Sequence, residues 1–272
     1  MTDPTTPQRT EPTDPQQIDT SVAHSARVWN YWLGGKDWFP ADQAAGDAYR
    51  DKYPLIEPMA QESRGFLIRT VTWLAREAGI RQFLDVGAGL PTANNTHEVA
   101  QRIAPDCRVV YVDHDPLVLL HVHAMRKSTP EGAMDYVLAD MRDTDAVLEG
   151  AAKTLDMTQP VALVINDVLG HIVDWDECLS LVRRLIARLP AGSFVSLSHS
   201  TAADDKHREV QEAYNSSGAI PYIFREPEQT VAFFEGLELV EPGYVSWPNW
   251  RPEATTGRLT VRAGWGGVAR IS

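Results

Sequence analysis

The chain has 272 residues, with 25 lysines and arginines against 37 aspartates and glutamates, a formal net charge of −12 that offers phosphate little attraction and makes nucleic acid an unexpected partner. The two cysteines, Cys107 and Cys178, stand 71 residues apart with no CxxC or Cys/His cluster, so neither a disulfide framework nor a structural zinc site is indicated. No leader-like N-terminus is present and no apolar run nears the roughly 20 residues that cross a bilayer, so a cytoplasmic protein without membrane partners is expected.

Residues 1–17 (MTDPTTPQRTEPTDPQQ) carry four prolines and only Met1 as a large apolar side chain, and read as a disordered tail. From 18 to 80 apolar and aromatic residues recur at helical spacing, including Val28, Trp29, Trp32 and Leu33, then Phe66, Leu67, Val71 and Leu74, with breaks at Gly34-Gly35, Pro54 and Pro58. This predicts a helical N-terminal cap whose last helix, 61–78, stops at Gly79. The core, 81–272, opens with β-rich runs starting near Gln82, Val109, Asp135, Val161 and Ser193, at spacings of 27, 26, 26 and 32 residues. That cadence predicts strand-helix units and a parallel sheet covered on both faces. Residues 237–246 (LELVEPGYVS) and 257–264 (GRLTVRAG) predict two further strands joined without a helix, an antiparallel C-terminal hairpin that makes seven strands in all.

The stretch FLDVGAGLP, 83–91, describes a strand, a turn built on Gly87 and Gly89, and a helix start where backbone can approach a ligand closely. A dinucleotide site would place a third glycine where Thr92 stands. Asp85 at the strand end would repel phosphate but accept from an ammonium, which favours S-adenosylmethionine, a cofactor with an amino-acid end and no phosphate. In VVYVDHDP, Asp113 falls 24 residues after Gly89, where an acid can receive both ribose hydroxyls, while Asp115 before Pro116 fits a helix cap. Asp140 ends the third strand, positioned for an adenine amino group, with Met141 placed to lie against the ring. Three acids at three successive strand ends mark a ligand site, because open α/β sheets bind at those carboxyl ends. The fourth strand ends in Asn166 and Asp167 followed by His171, and the fifth in Ser198 and His199. Asn166, His171 and His199 are the candidates for substrate positioning or proton transfer, although Asp167 and His171 fit capping or packing roles equally. Hydrolase, zinc-peptidase and kinase motifs are absent.

Four segments carry a family resemblance: ARVWNYWLGGKDWFPAD (26–42), AGIRQFLDVGAGLPTANNTHEVAQ (78–101), RVVYVDHDPLVL (108–119) and GWGGVAR (264–270). From about Ser21 to Arg270 the chain resembles an actinobacterial family of S-adenosylmethionine-dependent methyltransferases long catalogued as a domain of unknown function. The resemblance implies a class I, Rossmann-like α/β core with a helical N-terminal cover. It also implies donor contacts at Gly87, Gly89, Asp113 and Asp140, with Tyr31, Gly34, Gly35 and Lys36 folded over the donor pocket. Lys36 and Arg64 are then expected at the donor carboxylate, and Asn95, His114 and Asn166 beside the donor. Relatives more often carry Gly-Thr-Gly at 87–89 and Asn-Arg at 63–64, a departure that keeps the backbone geometry.

These readings predict methyl transfer from S-adenosylmethionine, giving S-adenosylhomocysteine, to a small acceptor suited to the aromatic supply of Trp29, Trp32, Trp38, Phe39, Tyr222, Phe224, Trp247 and Trp250. A sulfonium methyl is already activated, so alignment and water exclusion are the main demands and the absence of a catalytic motif is no objection. A non-catalytic sensor of S-adenosylmethionine and a nicotinamide oxidoreductase are the alternatives. Acceptor and oligomeric state are left open by the sequence.

Overall fold

A computed structural model describes residues 19–118, 128–252 and 262–272. The tail expected at 1–17 and most of the strand expected at 257–264 lie outside them.

The chain starts with three helices. α1 (Ser25–Trp32) and α2 (Pro40–Lys52) are joined through Asp42, which accepts from Phe39 N at 2.8 Å at the head of α2 and from His24 N at 2.8 Å at the head of α1. The same buried carboxylate pairs with the buried Arg27 guanidinium at 3.1 Å, so both charges are compensated. α1 ends where Gly34 turns to φ +77°. Gly35 follows because a Cβ there would lie 2.2 Å from Asn30 Oδ1. α3 (Ile56–Arg76) connects two layers. Ile56, Met59 and Ala60 join Val28, Trp32, Tyr49 and Tyr53 in a cluster of the front helices, whereas Phe66, Leu67, Val71 and Leu74 lie on the sheet.

The sheet contains β1 (Gln82–Val86), β2 (Arg108–Asp113), β3 (Ala133–Leu138), β4 (Ala162–Asn166) and β5 (Phe194–Ser200), all parallel, each within two residues of its expected start. Side chains alternate between faces. Phe83 meets α3 and α4 (Thr96–Ile103), while Leu84 and Val86 meet the core formed with α5 (Thr144–Ala151) and α6 (Trp175–Ile186). Both later helices begin on aspartate caps, Asp143 to Ala146 N and Asp174 to Glu177 N. α7 (Asp205–Asn215), capped by Asp204, packs Val210 into the front cluster.

The C-terminal strands are antiparallel, as expected, but are divided differently. The segment 237–246 forms two pieces, β6 (Glu238–Leu239) and β7 (Val245–Ser246), interrupted at Pro242 and Gly243. Their partner is β8 (Gly264–Arg270), which also pairs with β5 along its length. The order is therefore β3-β2-β1-β4-β5-β8-β6, with β7 on β8, eight strands among the described residues where seven were expected. Three glycines conceal β8 from strand propensity, and packing explains two of them. A Cβ on Gly264 would lie 2.1 Å from Trp247, and one on Gly266 would lie 2.5 Å from Phe66.

Candidate functional site

The site lies beyond the carboxyl ends of β1, β2 and β4. Gly87 N and Ala88 N both donate to Val112 O, at 2.8 and 3.2 Å, so the chain leaving β1 bends across the end of β2. The bend requires φ +74° at Gly87 and +64° at Gly89, and a Cβ on Gly87 would stand 2.5 Å from Val168. Asp113 braces this turn: Oδ2 accepts from Gly89 N at 2.8 Å and Oδ1 from Asp115 N at 3.0 Å. Each oxygen retains a lone pair for another donor. Asp115 caps Leu117 N at 2.9 Å, and its other oxygen lies 3.3 Å from His24 Nδ1. His114 lies beside Asp113 on the cavity wall.

Asp85 is buried and accepts from Thr96 Oγ1 at 2.6 Å. Burial raises its pKa to about 6, against the opposing effects of that hydrogen bond and of Arg64. Arg64 has more partners than the sequence suggests. Its Nη2 donates to Ala93 O, Asn94 O and Asn95 Oδ1 at 3.1–3.2 Å, fastening the loop after the glycine turn to α3. Its Nε is buried without a hydrogen-bond partner. Asn95 caps that loop at Thr92 N and lines a small recess with Arg64, Asp85 and Gly89. His97 takes a packing role, its Nδ1 2.8 Å from Tyr111 Oη.

At the end of β4, Asn166 donates to Ser63 Oγ at 3.2 Å and accepts from Ser198 Oγ at 2.8 Å. Asp167 does not take the capping role expected of it, since its side chain accepts from two hydroxyls and the following turn has no side-chain cap. It takes the left-handed conformation, φ +55°, and accepts from Tyr222 Oη at 2.6 Å and Ser200 Oγ at 2.9 Å. Burial lifts its pKa to about 6, and the two hydroxyls oppose that rise. His171 places Nδ1 2.8 Å from Pro221 O, which fixes the tautomer with Nε2 as acceptor. Burial lowers its pKa, so the ring is neutral near pH 7.

One cavity, open to solvent at its mouth, joins these groups. Arg64, Asp85, Gly87, Gly89, Asp113, His114, Met141, Asn166 and His171 line it, as does Asp167, which the sequence offered as a cap. Trp29, Trp32, Tyr49, Tyr214, Tyr222 and Phe224 form the aromatic part of its wall, an aromatic chamber. Several expected residues stand elsewhere. Tyr31 turns towards α2, its hydroxyl 2.6 Å from Asp47, and Gly34, Gly35 and the exposed Lys36 do not line the cavity. The neighbouring helical face does so instead, with Trp29, Asn30, Trp32 and Leu33. Asn30 accepts from Asp37 N at 3.1 Å and donates to Pro91 O at 3.4 Å, tying the Gly-Gly loop to the glycine-turn loop. Helical spacing from Trp29 was the available signal for that face. Asp140 is exposed and drawn to Arg142, 3.2 Å away, although Ala139 and Met141 beside it reach the cavity. His199 is buried outside the lining, with Arg225 Nη1 3.1 Å from Nε2, and burial pushes its pKa down to about 3. Its proton-accepting site is thus occupied.

Residues 11–272 match a family model described as S-adenosyl methyltransferase. Among solved structures, the chain is similar to a DUF574-family protein from Streptomyces avermitilis MA-4680, with 43% identity over 94% of this chain and 100% of the other and a TM-score of 0.90. It is also similar to a Thermobifida fusca YX protein whose methyltransferase assignment is provisional, with 35% identity over 93% and 97% of the two chains and a TM-score of 0.84. No curated protein matches. The family match over nearly the whole chain agrees with a parallel sheet closed by antiparallel strands, and the chain belongs to the S-adenosyl methyltransferases, enzymes of Rossmann-like fold that depend on S-adenosylmethionine.

Proposed function

We propose that the enzyme methylates a small, ring-bearing acceptor held in the aromatic chamber. The observation that carries this reading is the continuity of one cavity from the glycine turn and Asp113, past Asn166 and Asp167, to the aromatic walls. The residues at the first end suit the donor. Asp113 has lone pairs left for ribose hydroxyls, and Asp85 provides a carboxylate for an ammonium. The unpartnered Arg64 Nε provides a donor for a carboxylate. Ala139 and Met141 offer an apolar face for a base, with Asp140 at the rim. S-adenosylmethionine supplies a methyl group on a sulfonium, so the chain's own work is to bind, align and exclude water. Asn30 supports the last task by tying α1 to the Pro91 carbonyl, which keeps Trp29 and Leu33 over the cavity.

Isothermal titration with S-adenosylmethionine, S-adenosylhomocysteine and NAD tests the donor assignment. Binding of the two S-adenosyl compounds alone is expected, and binding of NAD alone, or of none, overturns it. With donor bound, a panel of small aromatic acceptors should yield a methylated product.

A further inference from the structure

Asp167 is a half-buried carboxylate on the cavity wall that no ion pair among the described residues includes. Its two hydrogen bonds come from neutral hydroxyls, Tyr222 Oη and Ser200 Oγ, and orient it without cancelling its charge. A half-buried anion in that condition is stabilised by a cation on its open side. The surface that Asp167 retains is on the cavity, and its hydrogen-bond partner Tyr222 is also a wall of the aromatic chamber. Aromatic faces attract cations, and the rings here are close enough to act together: Trp32 and Tyr49 are 5.1 Å apart, Tyr222 and Phe224 6.0 Å. Among the described residues, the charged ones lining the cavity are Asp85, Asp113, Asp167 and the single guanidinium of Arg64, which is fastened to the 93–95 loop at the other end. Left-handed backbone at Asp167, uncommon outside glycine, is the kind of local strain that accompanies a positioned functional group.

We infer that the acceptor is a small arylalkylamine, which enters as its ammonium form with the charge on Asp167 and the ring among Trp29, Trp32, Tyr49, Tyr222 and Phe224. This rests on the methyltransferase reading above. Asp167 takes one proton from the ammonium and passes it to solvent, which frees the nitrogen lone pair. That pair forms the new N–C bond, and the electrons of the broken C–S bond stay with sulfur. A hydroxyl acceptor, with His171 Nε2 as base, is the competing arrangement.

The experiment begins with binding of S-adenosylhomocysteine, which must occur for the donor reading to stand. In its saturating presence the protein is then titrated with 2-phenylethylamine, 2-phenylethanol and phenylacetate, which present one ring with a cationic, neutral or anionic end. The amine is expected to bind at least tenfold more tightly than the others. Asp167→Asn is expected to remove that preference while S-adenosylhomocysteine affinity stays within threefold, which also shows that the variant is folded. Comparable binding of the alcohol, binding of phenylacetate alone, no binding of the amine, or an unchanged preference in the Asn variant overturns the inference. Failure of S-adenosylhomocysteine itself overturns the donor reading.

Discussion

Replacing Asp167 by asparagine preserves the shape of the side chain, and its amide oxygen can still accept from Tyr222 Oη. What disappears is a charge that the fold holds without a counterion. Burial moves this carboxyl from its ordinary 3.8 to about 6, so keeping it ionised at pH 8 costs the native state up to about 3 kcal/mol. The sign follows from linkage. A carboxyl whose folded value is raised contributes stability that is fully present below the unfolded value of 3.8 and is lost as pH rises through about 6. The Asn variant lacks this dependence, so it should melt above the parent at pH 8 and lose its advantage below about pH 4. With an unfolding entropy near 2.1 cal/mol/K per residue, 3 kcal/mol in a chain of this length raises Tm by about 5 °C. Differential scanning calorimetry of the cofactor-free protein from pH 4 to 8 measures this. A variant that melts below the parent at pH 8, or by the same interval at every pH, refutes the uncompensated charge.

Four other substitutions or titrations address separate parts of the site. Asp113→Ala should weaken S-adenosylhomocysteine binding about a hundredfold through lost charge-assisted hydrogen bonds, and should also destabilise the fold by about 1–3 kcal/mol for each backbone donor left unmatched, Gly89 N and Asp115 N. Unchanged affinity in the folded variant would remove the ribose assignment. Arg64→Met should lower S-adenosylhomocysteine affinity at least tenfold and leave 5′-methylthioadenosine, which lacks the amino-acid end, unaffected; equal losses would mean that the 93–95 loop had simply come loose. His199, at about 3, should stay neutral to pH 4 in an NMR titration, and the fold should lose stability as pH falls below about 6.5, where the unfolded chain takes up the proton first. Gly266→Ala should cost about 1–3 kcal/mol by overpacking against Phe66, read as a lower melting temperature.

The parallel half of the sheet is legible in the sequence because its regularity is local. Each strand is a short apolar run, and Asp85 and Asp113 lie where a strand-end acid is expected. Asp140 shows the limit of that logic: spacing identifies a strand end, but the neighbouring Arg142 decides where the carboxylate goes. The aromatic segment 26–38 misled through direction, since spacing alone does not say which helical face meets the sheet, and Asn30 rather than Lys36 makes the tie. Asp167 reads as a cap until Tyr222, 55 positions later, is brought to 2.6 Å from it. β8 escaped because glycine is a poor strand former, and the ring of Phe66 that requires one there comes from a helix two hundred residues earlier.

β8 lies between β5 and the broken strand β6/β7, with seven residues paired to β5, and it supplies the surface on which Phe66 of α3 rests. During synthesis, therefore, the ribosome must have added residues 264–270 before the helix that carries Arg64 has its full seat. Until then β5 presents an open edge along Phe194–Ser200, a run of seven buried residues able to pair with another chain. The interval between the appearance of β5 and the arrival of β8 is when this protein is most exposed to misassembly, and a chaperone that shields one strand edge would protect it there.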